Sequence, residues 1–467
     1  MYVSRPLVGI GISFVFVILA AIFAASITGQ VPGAFLVVIA AAFGAYMALN
    51  IGANDVANNV GPAVGANALS MAGAILIAAV CESAGALIAG GDVVSTISKG
   101  IITPQSVAET SIFIWAMIAA LLSAAIWVNI ATYLGAPVST THSVVGGVMG
   151  AGIAAAGFSA VNWPTMGAIA ASWVISPLLG GVIAAAMLAF IKTTIIYRDD
   201  KIAAARLWVP LLIGIMAAAF ATYIALKGVK HLVRIDMASA LLIGALAGGA
   251  SWLAARPYIA RKAQGLENRN KSLKALFSLP LVLSAALLSF AHGANDVANA
   301  VGPLAAIVHA QGTGSFAGSV AIPGWVMLIG AAGISFGLVL FGPKLIRIVG
   351  NQITKLNPMR AYCVALSAAI TVIVASWLGL PVSSTHIAVG GVFGVGFFRE
   401  WHAENRARKL KAERPAGKRI AAEERTRRKL VRRSHFMTIV AAWVVTVPAA
   451  AVLSAVLFFI ITAMAGA

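Results

Sequence analysis

Uncharged apolar runs of about twenty residues recur along this chain from end to end, separated by short polar or basic segments. The runs fall at residues 7–28, 32–50, 68–90, 111–133, 138–158, 166–191, 207–226, 237–256, 275–291, 321–341, 359–378, 382–397 and 437–462. About twenty residues of helix cross the hydrocarbon core of a bilayer. Lipid offers no partners to open backbone groups, so helices are the spanning structure to expect. The alternating ten-residue segments of a membrane β-barrel are absent. The pattern therefore predicts an all-α polytopic membrane protein with 12 to 13 transmembrane helices.

Composition strengthens this reading. Of 467 residues only 10% are charged, against about 25% in soluble domains. The net charge of +19 is no sign of nucleic-acid binding, because the basic residues sit in loops between apolar runs. The positive-inside rule places such loops in the cytoplasm. Basic segments 192–206, 256–274, 343–360 and 399–433 are separated by even numbers of runs, so all can lie on that side. The expected location is the cell inner membrane, with the N-terminus and loop 399–433 cytoplasmic. That loop holds fourteen Lys/Arg against five Glu and reads as a solvated segment able to touch anionic headgroups. Cys81 and Cys363 both lie within apolar runs and read as packing residues.

The chain repeats itself. Residues 52–62 read GANDVANNVGP and 293–303 read GANDVANAVGP. Residues 135–150 read GAPVSTTHSVVGGVMG and 379–394 read GLPVSSTHIAVGGVFG. The loop count makes the copies inverted, an organisation typical of secondary transporters whose interrupted or re-entrant helices build a site at the midplane. The units are an extra N-terminal helix (1–31), repeat one (32–191), scaffold helices with basic loops (192–274), and repeat two (275–467).

The motifs place costly groups in apolar surroundings. Asp55 and Asp296 are intramembrane carboxylates, functional by default. Asn54, Asn58, Asn295 and Asn299 add carbonyl oxygens beside them, hard ligands suited to a small cation. Gly61-Pro62 and Gly302-Pro303 are expected to break the helix just after each aspartate. Pro137 and Pro381 are expected to open new half-helices. The hydroxyl runs Ser139-Thr140-Thr141 and Ser383-Ser384-Thr385 would then sit at helix N-termini, whose free N–H groups and dipole favour an anion. No Lys or Arg appears in these motifs, so an anion could enter only together with cations. His142 and His386 end the hydroxyl runs and are candidate proton relays. Glu82 is a further candidate for cation or proton coupling. His292, where copy one has Ile51, breaks the symmetry.

These motifs resemble the inorganic phosphate transporter (PiT) family. The resemblance covers about 32–191 and 275–462. It implies phosphate as substrate, Na⁺ or H⁺ as coupling ion, and an inverted-repeat fold. It also implies cation and phosphate binding at Asp55, Asn58, Asp296 and Asn299, with phosphate held by the two hydroxyl runs. Asp55 and Asp296 would ligate the metal if the ion is Na⁺. Ala365 stands where sodium-coupled members carry a glutamate, which leans the expectation toward protons. The expected activity is phosphate import by cation symport with alternating access. No cofactor is expected beyond the co-transported ion. The expected partners are phosphate, free or as a metal–phosphate complex, the lipid bilayer, and a second copy of the chain. The rival readings are a sulfate or other oxyanion permease, a passive channel, and a membrane hydrolase, for which no nucleophile, zinc or P-loop motif speaks.

Overall fold

The computed structural model describes residues 5–29, 33–103, 106–107, 109–134, 138–228, 235–315, 322–352, 356–412 and 433–466. Among these residues the chain is helical apart from turns and one isolated bridge between Ile102 and Val161. Fifteen helices follow in order. They are α1 (Arg5–Thr28), α2 (Ala34–Gly65), α3 (Met71–Ala89), α4 (Gly91–Lys99), α5 (Thr110–Leu134), α6 (Thr140–Ala156), α7 (Trp163–Ile191), α8 (Lys201–Lys227), α9 (Met237–Ala263), α10 (Asn270–Leu276), α11 (Ser278–Thr313), α12 (Gly324–Gln352), α13 (Pro358–Trp377), α14 (Ser384–Ala412) and α15 (Arg433–Ala465). Eleven are long and apolar enough to cross a membrane. The short α6 and the partly charged α14 complete the expected set.

Polar residues punctuate the apolar runs. Ser70, Asn162, Asp200, Asp236 and Asn357 each accept a backbone N–H from the first turn of the helix they precede, satisfying donors a helix start leaves open. Pro164 and Pro358 follow their asparagine caps at first-turn positions, where a missing N–H costs nothing. The Ser239 hydroxyl and the first N–H groups of α9 hold the exposed Asp236 carboxyl below its ordinary range, so this cap persists as a carboxylate into mild acid.

The prolines after the aspartates do not break their helices. Both α2 and α11 run unbroken through the repeated motif, with Pro62 and Pro303 inside them. Each proline removes one hydrogen bond, and close packing on all sides holds the helix together across the gap. The carbonyls that lose their helical partners, four residues back, belong to Asn58 and Asn299. The break falls elsewhere, at Gly90 between α3 and α4. The half-helix α14 also starts later than expected. Pro381 lies outside it and Ser383 caps it, accepting from His386 N–H. Pro137 and most of loop 399–433 lie outside the described residues.

The two copies interlock. A central layer is formed by α2 on α12, α11 on α3 and α2 on α11, with α4 against α11. On one side α5, α6 and α15 pack together, and on the other α13, α14 and α7. Each triad thus takes two helices from one copy and one from the other. Helices in lipid gain little from hydrophobicity and associate through close packing. Glycines make that packing here. A Cβ on Gly390 or Gly394 of α14 would fall on the backbone of Pro177 or Gly181 in α7. Gly146 and Gly150 of α6 stand the same way against Val447 and Ala451 of α15. In the central layer Gly52 meets Ile334, Gly337 meets Leu49, Gly85 meets Phe290 and Gly293 meets Glu82.

These contacts give the register of the inverted repeat. Gly52 matches Gly293 and Gly85 matches Gly337, so Ser83 matches Ser335 and Glu82 matches Ile334. The two serine hydroxyls meet at 2.6 Å across the pseudo-twofold axis. Outside the layers lie α1, which packs mainly on α2, and the α8–α9 hairpin. Both carry exposed apolar faces, such as Phe14, Leu19, Leu241 and Leu246. Lys227 at the end of α8 pairs with Asp92 of α4 on the wall of a cavity of about 470 Å³.

Candidate functional site

The half-helices α6 and α14 begin in the interior, and their N-termini converge on α2 and α11. Ser139 and Ser383 act as caps, accepting from His142 N–H at 3.2 Å and His386 N–H at 3.3 Å. The hydroxyls one and two residues further on reach the aspartates. Asp55 accepts from Thr140 at 3.1 Å and from Thr385 at 2.9 Å, one hydroxyl from each copy. Asp296 accepts from Ser384 at 3.3 Å.

The asparagines one turn on cross between copies. Asn58 donates to Thr385 Oγ1 at 2.8 Å and Asn299 to Thr141 Oγ1 at 3.0 Å. The symmetry fails in the next link. Thr385 passes its own proton to Asp55, whereas Thr141 donates to the Val382 carbonyl at 2.9 Å. Both aspartates and Asn299 are fully buried. Asp296 Oδ1 and Asn299 Oδ1 have no hydrogen-bond partner among the described residues. Leaving a buried acceptor unpaired costs about 1–3 kcal/mol, so a bound cation or a donor on a ligand would be welcomed there.

Asn54 and Asn295, read from sequence as cation ligands, turn their amides to the last turns of α5 and α13, the helices that precede the half-helices. Asn54 donates to Thr132 at 2.8 Å. Asn295 donates to Ser376 Oγ at 2.9 Å and the Leu380 carbonyl at 3.2 Å, and accepts from Val382 N–H at 3.2 Å. Asn295→Ala is therefore expected to destabilise the purified protein by about 1–3 kcal/mol, seen as a lower melting temperature in detergent. An unchanged melting temperature would show that these three bonds do not anchor the loop. His142 and His386 pack edge to face at 4.6 Å, and His142 lies 3.9 Å from the Trp173 ring. Trp173 in turn donates to the Pro381 carbonyl at 3.0 Å.

Sequence reasoning assigned no role to His292 and did not single out Asn59. His292 Nε2 lies 2.9 Å from Asp296 Oδ2 and 3.8 Å from Asp55 Oδ2, and Nδ1 lies 3.3 Å from Glu82 Oε2. The ring thus stands within ion-pair distance of three carboxylates, and these are ion pairs only when the imidazole is protonated. Asn59 donates to Glu82 Oε1 at 2.8 Å. The matching positions in the other copy are Ile51, Ile334 and Ala300, all apolar, so the polar chain runs on one side of the axis only. Asp55, His292 and Asp296 offer three ligand atoms within 4.8 Å of one another, a geometry able to hold a cation. No Lys or Arg pairs with any of the three carboxylates among the described residues.

The sequence profile described as the phosphate transporter family matches residues 51–454. The chain belongs to this family. The members transport phosphate, which sets aside the hydrolase reading. A Helicobacter pylori (strain J99) protein that carries the name phosphate permease is 47% identical, over 96% of this chain and 94% of its own length. A phosphate permease of that name from Thermococcus kodakarensis is 38% identical, over 91% and 97%. A solved structure described as the sodium-dependent phosphate transporter shares the fold with a TM-score of 0.82 and 34% identity, over 92% of this chain and 99% of its own. For this phosphate transporter family member, the all-helical inverted-repeat fold follows the expectation from sequence.

Proposed function

We propose that this chain imports inorganic phosphate by symport with a cation, Na⁺ or H⁺, through alternating access. One observation carries the reading. Two half-helix N-termini, one from each copy, meet two buried aspartates through Thr140, Thr385 and Ser384. Phosphate would take the free N–H groups of Thr140, Thr141, Ser384 and Thr385. Three carboxylates nearby repel it unless positive charge comes along. Asp55 and Asp296 hold the coupling cation in this reading. The Asn58 and Asn299 carbonyls, released by Pro62 and Pro303, supply neutral oxygens next to it. His292 and Glu82 set the charge behind it.

The moving bodies are the two mixed triads, α5–α6–α15 and α7–α13–α14, sliding on the central layer. The membrane is the inner membrane, with the N-terminus and the basic helix ends on the cytoplasmic side. The test is labelled-phosphate uptake into proteoliposomes under an inward Na⁺ gradient, an inward proton gradient, or neither. Accumulation is expected with one gradient and not without. Equal uptake with both gradients collapsed would make the protein a passive pathway.

A further inference from the structure

At the basic end of the molecule, three cations from three helices gather on the face shared by α7, α13 and α14. Lys192 directly follows α7, Arg360 lies in the first turn of α13, and Arg399 lies on α14. All three are half-buried and close enough to repel one another. Glu400 sets an opposing charge beside Arg399. No described carboxylate stands within ion-pair distance of any of the three. Gathering like charges on a partly buried surface is unfavourable unless an anion joins them.

An aromatic cluster lies against these cations. The Lys192 ammonium sits 5.0 Å over the Phe398 ring. Phe398 packs with Trp401 at 6.0 Å and His402 at 5.8 Å. Tyr197 bonds His402 Nε2 at 2.7 Å and stacks on its ring. Trp401 is 59% exposed, and exposed tryptophan next to basic residues at a span end marks headgroup depth. The patch is far from the half-helix termini. Ser384 and Arg399 are fifteen residues apart on α14, or about 22 Å of helix. Below the cations, α7 leaves Leu178 and Val182 exposed, a surface for acyl chains.

We propose that Lys192, Arg360 and Arg399 bind the phosphate headgroup of an anionic phospholipid. Its glycerol lies on the Phe398–Trp401 edge and its chains run along the exposed side of α7. The charge requirement is met by the phosphodiester, and the apolar surround by the tails. A free phosphate ion would satisfy the first demand only. By bridging α7, α13 and α14 the lipid clamps one triad at its basic end.

The test titrates delipidated protein in detergent with phosphatidylglycerol, phosphatidylcholine or inorganic phosphate and follows melting temperature. Each basic residue near an anionic surface contributes about 1 kcal/mol, or about fivefold in affinity. Lys192→Gln/Arg360→Gln/Arg399→Gln is expected to raise the half-saturating phosphatidylglycerol concentration about 100-fold. Lys192→Arg/Arg360→Lys/Arg399→Lys, which keeps the charges, is expected to stay near wild type and shows that the site tolerates substitution. Phosphatidylcholine is expected to act alike on all three proteins. A charge-dependent shift with inorganic phosphate instead of lipid would assign the patch to free anion and overturn the proposal. Equal phosphatidylglycerol responses in wild type and the glutamine variant would also overturn it. These readouts use no ion gradient, so they stand apart from the symport reading.

Discussion

Asp55→Asn is expected to lower gradient-driven phosphate uptake about 100-fold or more, while the variant still reaches the membrane and elutes like wild type. The exchange keeps the size of the side chain and removes its charge. Asp55 accepts a hydroxyl on each oxygen, Thr140 on one and Thr385 on the other. An asparagine presents one oxygen and one N–H₂, so one hydroxyl must turn away from its partner. The charge that draws the cation into a buried site is lost with it. Breaking one partner of a buried, hydrogen-bonded charge pair costs about 2–5 kcal/mol, and each 1.4 kcal/mol is about tenfold in rate. Uptake is measured in proteoliposomes at matched protein density. Wild-type uptake by the variant would remove Asp55 from the transport cycle and leave the half-helix termini to act without it.

Gly394→Leu is expected to abolish folded protein altogether, although the residue lies ten positions beyond the start of its half-helix. Its Cβ would fall on the Gly181 backbone of α7, and backbone cannot step aside as a side chain can. The two helices would have to separate along their length, in a membrane where close packing is the main source of cohesion. The cost exceeds about 4 kcal/mol, the range of the most damaging substitutions. Gly249→Leu on α9 meets nothing within 4 Å and is expected to express and elute normally. Size-exclusion profiles of fluorescently tagged variants distinguish the two. A monodisperse Gly394→Leu peak at wild-type yield would show that α7 and α14 are not held together by this contact.

Spans, repeats and the polar motifs were legible because each is local in sequence. Apolar length marks a helix, and GANDVAN or PVS[ST]TH marks a site in each copy without knowledge of the partner. What escaped depends on how helices meet. His292, Asn59 and Glu82 join only through the register between α2, α3 and α11, fixed by Gly85 and Gly293 against each other's helix. Nothing in the one-dimensional pattern sets that register. The glycine–proline pairs misled for a related reason. Local rules count the lost hydrogen bond, and the surrounding helices, against which α2 and α11 run unbroken through it, belong to other parts of the chain. Asn54 and Asn295 sit beside the aspartates in sequence, but the helix turns each amide about 100° away per residue, toward the last turns of α5 and α13.

Ser83 and Ser335 are matching residues of the two copies whose hydroxyls touch each other. If the central layer is to present its site first to one side and then to the other, both arrangements must share this axis. A sliding of α3 past α12 by one helical turn would carry the hydroxyls about 5.4 Å apart and strand both. A rocking motion with the pair at its fulcrum leaves the bond whole. Under the proposed alternating access, the pair would serve as a pivot no wider than two oxygen atoms.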